Sequence, residues 1–294
     1  MALPRLIFIT GKGGTGKSTV AAALAVALAR RNPVVLADLD RRSSAARLLG
    51  ADLNGRGSCR VSERLEVRAL SPRAELESFI ETIVPLKAIS RRMLGSRTFG
   101  YVTAAVPGLE AFLMLERLRV MAGEAARDDS YLVIDGPASG SAVELFSVAA
   151  GLGRLAPRGR LNRLSLELER FLADPNRFGV AITLSPEEAA IREAMETASA
   201  LGERMGIRRV AAILNGVARP LFSRAEAKIA AAMGEHGRLV ARRIELGALA
   251  ERAHRRLTST GLNVIELPML FTESVGKAEI FELSRALEPE LVRR

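Results

Sequence analysis

Short apolar runs alternate along the chain with longer stretches of helical spacing. The runs Arg5–Thr10, Val34–Asp38, Leu65–Leu70, Tyr131–Asp135, Gly179–Leu184, Arg209–Leu214 and Asn263–Leu267 are rich in Val, Ile and Leu and show no polar alternation. That pattern suits strands buried on both faces of a parallel sheet. Helical spacing predicts helices over Lys17–Arg31, Ser141–Gly151, Pro186–Met205, Arg219–Met233, Arg238–Ser259 and Gly276–Leu291. Repeated strand–helix–strand order predicts an α/β fold with a doubly wound, mostly parallel sheet. Two stretches depart from this order. Residues 72–129 hold helical segments and no convincing strand, with Leu109, Phe112, Leu113, Leu115, Leu118 and Met121 on one broad apolar face. Residues 152–172 form a second helical, arginine-bearing stretch. Together they predict a helical insertion subdomain at one edge of a single domain spanning residues 1–294. The insertion's apolar face either packs on the α/β core or offers Met93, Met114 and Met121 to an apolar client, since Met-rich surfaces adapt to varied ligands.

Composition narrows the function classes. Of 294 residues, 48% are hydrophobic and 26% charged, a balance that excludes disorder. A single cysteine, Cys59, excludes an internal disulfide and a cysteine-built zinc or iron–sulfur site within one chain. Two histidines, His236 and His254, are too few for a multi-histidine metal site. No apolar run reaches the roughly 20 residues of a membrane span, and no secretory h-region is evident, so a cytoplasmic protein is expected. Lys and Arg number 43 against 33 acids, a net charge of +10. The cations are dispersed, with no run of five or six, which disfavours a dedicated nucleic-acid arm.

Nearly all these cations are arginine; the lysines are Lys12, Lys17, Lys87, Lys228 and Lys277. Two of them fall in the segment Gly11-Lys12-Gly13-Gly14-Thr15-Gly16-Lys17-Ser18-Thr19, which matches G-x-x-x-x-G-K-[ST] in full. It follows an apolar strand and opens an Ala-rich helix. Glycines let backbone N–H groups converge on a phosphate, and the helix start adds partial positive charge. Lys17 is expected at the β- and γ-phosphates of ATP or ADP, and the Ser18 hydroxyl on Mg²⁺. A second predicted strand ends Asp38-Leu39-Asp40 and a third ends at Asp135. Asp135 is expected to hold Mg²⁺ opposite Ser18. Asp38 is a candidate for the metal or for a turn. Gly140, in Gly136-Pro137-Ala138-Ser139-Gly140, is placed to turn an N–H toward the γ-phosphate.

Lys12 is not required by a phosphate loop. With it, the segment resembles the deviant Walker A ATPases (KGGxGK[ST]), a family that includes ParA, MinD, nitrogenase iron protein and the ArsA/GET ATPases of arsenite pumping and tail-anchored-protein targeting. The resemblance implies that Lys12 reaches across a dimer to the partner's nucleotide, and that Asp40 positions the attacking water. It further implies that Asn215 reads adenine and that Pro268 lies beside the base. Asp135–Gly140, the helical insertion with Pro107-Gly108-Leu109-Glu110, and Leu267-Pro268-Met269-Leu270-Phe271 favour the ArsA/GET branch. The chain departs from that branch in lacking a CxxC pair and in carrying Asp40-Arg41-Arg42-Ser43 where the family has D-P-x-x. The implied protein is a Mg²⁺-dependent ATPase working as a homodimer or with a paralogue, switching conformation to target, chaperone or move an apolar or membrane-associated client. The alternative is a ParA- or MinD-like ATP-gated scaffold on DNA or a membrane surface.

Overall fold

The computed structural model describes residues 3–39, 44–53, 57–71, 108–155, 158–219, 221–230 and 232–292. Eight strands form one sheet: β1 (Leu6–Gly11), β2 (Val34–Asp38), β3 (Ser58–Ser62), β4 (Leu65–Ala69), β5 (Tyr131–Ala138), β6 (Phe178–Leu184), β7 (Val210–Val217) and β8 (Asn263–Pro268). Their spatial order is β3-β4-β2-β5-β1-β6-β7-β8. All pairings are parallel except β3 with β4. The α/β, mostly parallel reading therefore holds. Every residue of β1 and β6 is buried, as expected for central strands covered on both faces.

The described helices are α1 (Lys17–Ala29), α2 (Ser44–Leu48), α3 (Leu109–Arg127), α4 (Ser139–Leu155), α5 (Arg160–Ala173), α6 (Glu188–Ser199), α7 (Arg224–Ala230), α8 (Glu235–Ser259) and α9 (Lys277–Val292). A π-helical turn, Ala200–Arg204, ends α6 where one continuous helix was expected. Residues of α1, α2 and α9 pack into the core on one sheet face. The Ala-rich α1 presents small side chains, so its backbone lies close against the strands. Residues of α3, α4, α5, α6 and α8 build the core on the other face. That core contains an aromatic layer. Phe146 packs edge-on to Phe8 with centroids 4.9 Å apart and to Phe178 at 5.5 Å, and Phe171 meets Phe178 at 5.3 Å.

Of the two readings of the insertion's apolar face, packing on the α/β core holds for α3. Met114 and Met121 are 2% and 4% exposed, so α3 turns them into the core and they form no client surface; Met93 lies outside the described residues. The edge strand β3 and short helix α2 were not anticipated. The rest of the expected insertion before Gly108, Pro107 included, also lies outside the described residues.

Arg68 clamps the neighbouring Glu66 on β4 with two hydrogen bonds, of 2.9 and 3.1 Å. This clamp holds the Glu66 carboxyl below the usual glutamate range, against the opposing pull of partial burial. A carboxyl depressed in the folded state stabilises above its unfolded pKa, and that stabilisation drains as pH falls through the folded value. Glu66→Gln is therefore expected to melt below wild type at neutral pH and to match it in acid, read by denaturant titration at both pH values. Phe146→Ala removes the buried ring that packs edge-on to both Phe8 and Phe178 and is expected to cost about 3–5 kcal/mol in the same titration at neutral pH.

Candidate functional site

The end of β1, the following loop and the start of α1 form one wall of the site. Gly16 takes the N-cap position of α1 with φ 87° and contributes no side-chain cap, and no acidic residue occupies the first turn. The first N–H groups of α1 therefore point out of the helix without a side-chain acceptor on them. A Cβ on Gly16 would lie 2.4 Å from Asn215 Nδ2, and its left-handed φ disfavours other residues. The Asn215 amide donates to the Thr15 carbonyl at 3.0 Å, fixing the loop to the end of β7. Within the loop the Lys12 carbonyl is a focus: Thr15 Oγ1 donates to it at 2.8 Å and Lys17 Nζ at 3.3 Å. Lys12, Gly13 and Gly14 are exposed. Gly11 is buried against β6.

The opposite wall comes from the ends of β2 and β5. Asp38, the last residue of β2, pairs in register with Asp135 of the adjacent parallel β5, and both are buried. The Asp135 carbonyl accepts the Leu39 N–H at 3.1 Å. Asp38 Oδ2 accepts the Ala45 N–H at 3.1 Å, which ties the end of β2 to α2. β5 runs on through Gly136, Pro137 and Ala138 into α4, past Asp135 where the sequence pattern ends the strand. Thr10 Oγ1 donates to the Pro137 carbonyl at 2.8 Å. At Gly136 a Cβ would fall 2.4 Å from the Phe8 ring and 2.6 Å from the Ile9 carbonyl, so this segment lies too close to β1 for any side chain. Where α4 starts, the Ser139 hydroxyl bonds the Glu193 carboxylate of α6.

Between these walls is a cavity of about 550 Å³, lined by Gly14, Gly16, Lys17, Ser18 and Thr19 on one side and by Leu39, Asp135, Gly136, Pro137 and Ala138 on the other. The fold thus brings together Lys17, Ser18, Thr19 and Asp135 across distant sequence. Asp38 does not line this cavity, and neither does Gly140, which is exposed in the first turn of α4. Asn215 and Pro268 end neighbouring strands on the far side of β6, Pro268 beside Val217. Beyond Pro268, Arg243 lies 4.8 Å over the exposed ring of Phe271 and donates through Nε to the Arg219 carbonyl at 3.0 Å. Asp40 lies outside the described residues. Sequence reasoning missed Thr10, whose strand-end hydroxyl holds Pro137, and Leu39, which lines the cavity; neither carries a motif signal.

The donor set fits a nucleotide with Mg²⁺. Uncapped helix N–H groups and a lysine suit phosphate oxygens. A hydroxyl and a buried carboxylate are hard oxygen donors facing one cavity. Among the described residues no group of three or more His, Cys, Asp and Glu side chains could hold a metal alone. A cation at Ser18 and Asp135 would complete its shell from phosphate or water, which is the habit of Mg²⁺.

Comparison with known proteins agrees with this construction. Over 209 residues, 68% of this chain and 61% of the relative, the sequence is 24% identical to ATPase BagA of Mycobacterium tuberculosis (strain ATCC 25618 / H37Rv). Over 153 residues, 51% of this chain and 50% of the relative, it is 26% identical to a protein of Aquifex aeolicus (strain VF5) named provisionally as arsenical pump-driving ATPase 2. The chain thus spans about three fifths and one half of the lengths of these two relatives. Residues 4–159, just over half of the chain and the part that carries the glycine loop, β2 and β5, match the profile of the ArsA family, described as anion-transporting ATPases. The chain belongs to the ArsA family.

Proposed function

We propose that the protein is a Mg²⁺-dependent ATPase that works as a dimer and uses the hydrolysis cycle to move or chaperone a protein client. The observation that supports this reading best is the single cavity in which the uncapped start of α1 faces the buried Asp135. Backbone N–H groups of the loop and of the α1 start take the β-phosphate, and Gly16 fits there because a Cβ would collide with the Asn215 amide that holds the loop. The Lys17 ammonium, which bonds the Lys12 carbonyl, turns to the β- and γ-phosphate oxygens. Ser18 and Asp135 hold Mg²⁺, which supplies charge neutralisation on the phosphates when bound. Asp38 acts through position: by bonding Ala45 it sets the ends of the segment that carries Asp40. By family likeness, Asp40 orients the attacking water and accepts its proton.

Lys12 is exposed and does not line its own cavity, so its ammonium is assigned to a partner's triphosphate, where it stabilises transition-state charge. The partner is a second copy of the chain or a paralogue. Release of γ-phosphate frees Gly136–Ala138, and through Ser139–Glu193 that change passes to α4 and α6. Asn215 divides its amide between the loop and the base, and Pro268 forms an apolar edge for adenine.

Lys17→Ala is expected to lower ATP turnover by about 10²-fold or more, and Asp40→Ala to do so while nucleotide still binds. Turnover unchanged in both variants overturns the assignment. Turnover per chain should rise with protein concentration. Lys12→Ala should abolish that rise and lower the plateau rate by about 10²-fold. Light scattering with ATP reads the same dependence, and a chain that stays single at every concentration, with a genomically adjacent paralogue added, removes the dimer from the mechanism.

A further inference from the structure

The segment that leads into α7 and the start of α8 carries a dense group of exposed large apolar side chains. Leu221, Ile229, Met233 and Leu239 are 66%, 72%, 59% and 67% exposed. A scattered leucine on a surface needs no explanation, but four such residues within one short hairpin do. The hairpin is a built element. The Ser223 N–H donates to the Glu226 carboxylate at 2.6 Å and Ser223 Oγ accepts the Glu226 N–H at 3.2 Å, a reciprocal cap that starts α7. Arg243 Nε bonds the Arg219 carbonyl at 3.0 Å and ties the lead-in to α8. The side chains that α8 buries, Ala250, Ala253 and Leu257, lie in its carboxyl half, whereas Gly237 is the one buried residue of its amino half, so that half stands out from the core.

The same segment is cationic. Residues 219–243 hold six Lys and Arg against two acids, +4 of the chain's +10. Lys228, Arg238 and Arg242 are exposed, Lys228 next to Ile229 and Arg238 next to Leu239 in sequence.

The occupant follows from this chemistry. A second copy seated symmetrically here would place +4 against +4. Nucleic acid would satisfy the cations and gain nothing from Ile229 or Leu239. A helix that docks in a groove needs partly buried walls, whereas these side chains are mostly open to solvent. An anionic bilayer surface meets both demands, taking apolar side chains at the acyl boundary and cations among the headgroups. No described helix is long and apolar enough to cross a membrane, so the contact lies in the interface plane. We propose that the α7–α8 hairpin docks the protein on anionic phospholipid surfaces through Leu221, Ile229, Met233 and Leu239, with Lys228, Arg238 and Arg242 on the headgroups. The proposal does not rest on the nucleotide reading.

Co-sedimentation of the full chain with phosphatidylglycerol-containing vesicles and with pure phosphatidylcholine vesicles tests it. Wild type is expected to bind the anionic vesicles at least about tenfold more strongly, with binding falling as salt is raised. Ile229→Ser with Leu239→Ser should lose about tenfold or more, since each removes buried methylene groups from the lipid boundary. Lys228→Gln with Arg238→Gln should lose the preference for anionic lipid while leaving the apolar positions intact. Both pairs replace exposed side chains, and thermal melting at the wild-type temperature shows that each folds. Absence of vesicle binding, equal binding to both vesicle types, or undiminished binding by the serine pair overturns the proposal. So does a concentration-dependent dimer that the serine pair abolishes, or duplex DNA retention that outcompetes the vesicles.

Discussion

α1 begins at Gly16, a residue with no side chain to accept the N–H groups of the first helical turn. A helix start without a cap leaves donors and partial positive charge in search of an acceptor. The neighbouring architecture preserves this deficit. β1 holds the loop at the centre of the sheet between β5 and β6, and Asn215 secures the Thr15 carbonyl rather than any α1 N–H. The Lys12 carbonyl gathers the Thr15 hydroxyl, the Thr15 N–H and the Lys17 ammonium, so the loop closes on its own acceptor and leaves the α1 N–H groups aside. An anion is the partner that this geometry leaves wanting.

The two sheet faces divide the work. The α1 face is aliphatic, with Leu, Ile and Val around an Ala-rich helix, so the helix that presents the loop lies close to the strands. The other face is filled by Phe8, Phe146, Phe171 and Phe178. Phe8 belongs to both stories: it sits in the aromatic layer, and its ring abuts Gly136. A rigid stack of rings thus backs the segment opposite the glycine loop. Tight packing of this kind transmits displacement rather than absorbing it.

The central strands and the loop were legible because their signals are local and redundant. β1, β2 and β5 are apolar runs ending where chemistry begins, and the glycine spacing has few other uses. β3 escaped notice because Ser-Cys-Arg-Val-Ser has no apolar run; it is an edge strand, half-buried or exposed throughout, paired on one side to β4. α2 is five residues long, too short for a period to declare itself. Gly136-Pro137 reads as a turn, yet the strand continues, because Pro137 lies next to a register irregularity and its carbonyl has Thr10 as donor. Met114 and Met121 sit at helical spacing, which a core face and a client face share; burial separates them. Asp38 ends a strand as a metal ligand would, and its tie to the Ala45 N–H has no trace in the local pattern. The partnership of Asn215 with Thr15 joins residues 200 positions apart, a distance no motif spans.

The direct passage of β5 into α4 has a mechanical corollary. With no connecting residues between Ala138 and Ser139, there is no slack to take up motion at the end of the strand. If Pro137 slips from Thr10, the helix must travel with it as a stiff rod, and Phe146 on that rod must ride over Phe8 and Phe178. Interlocked edges make that ride a repacking of the aromatic layer rather than a free slide.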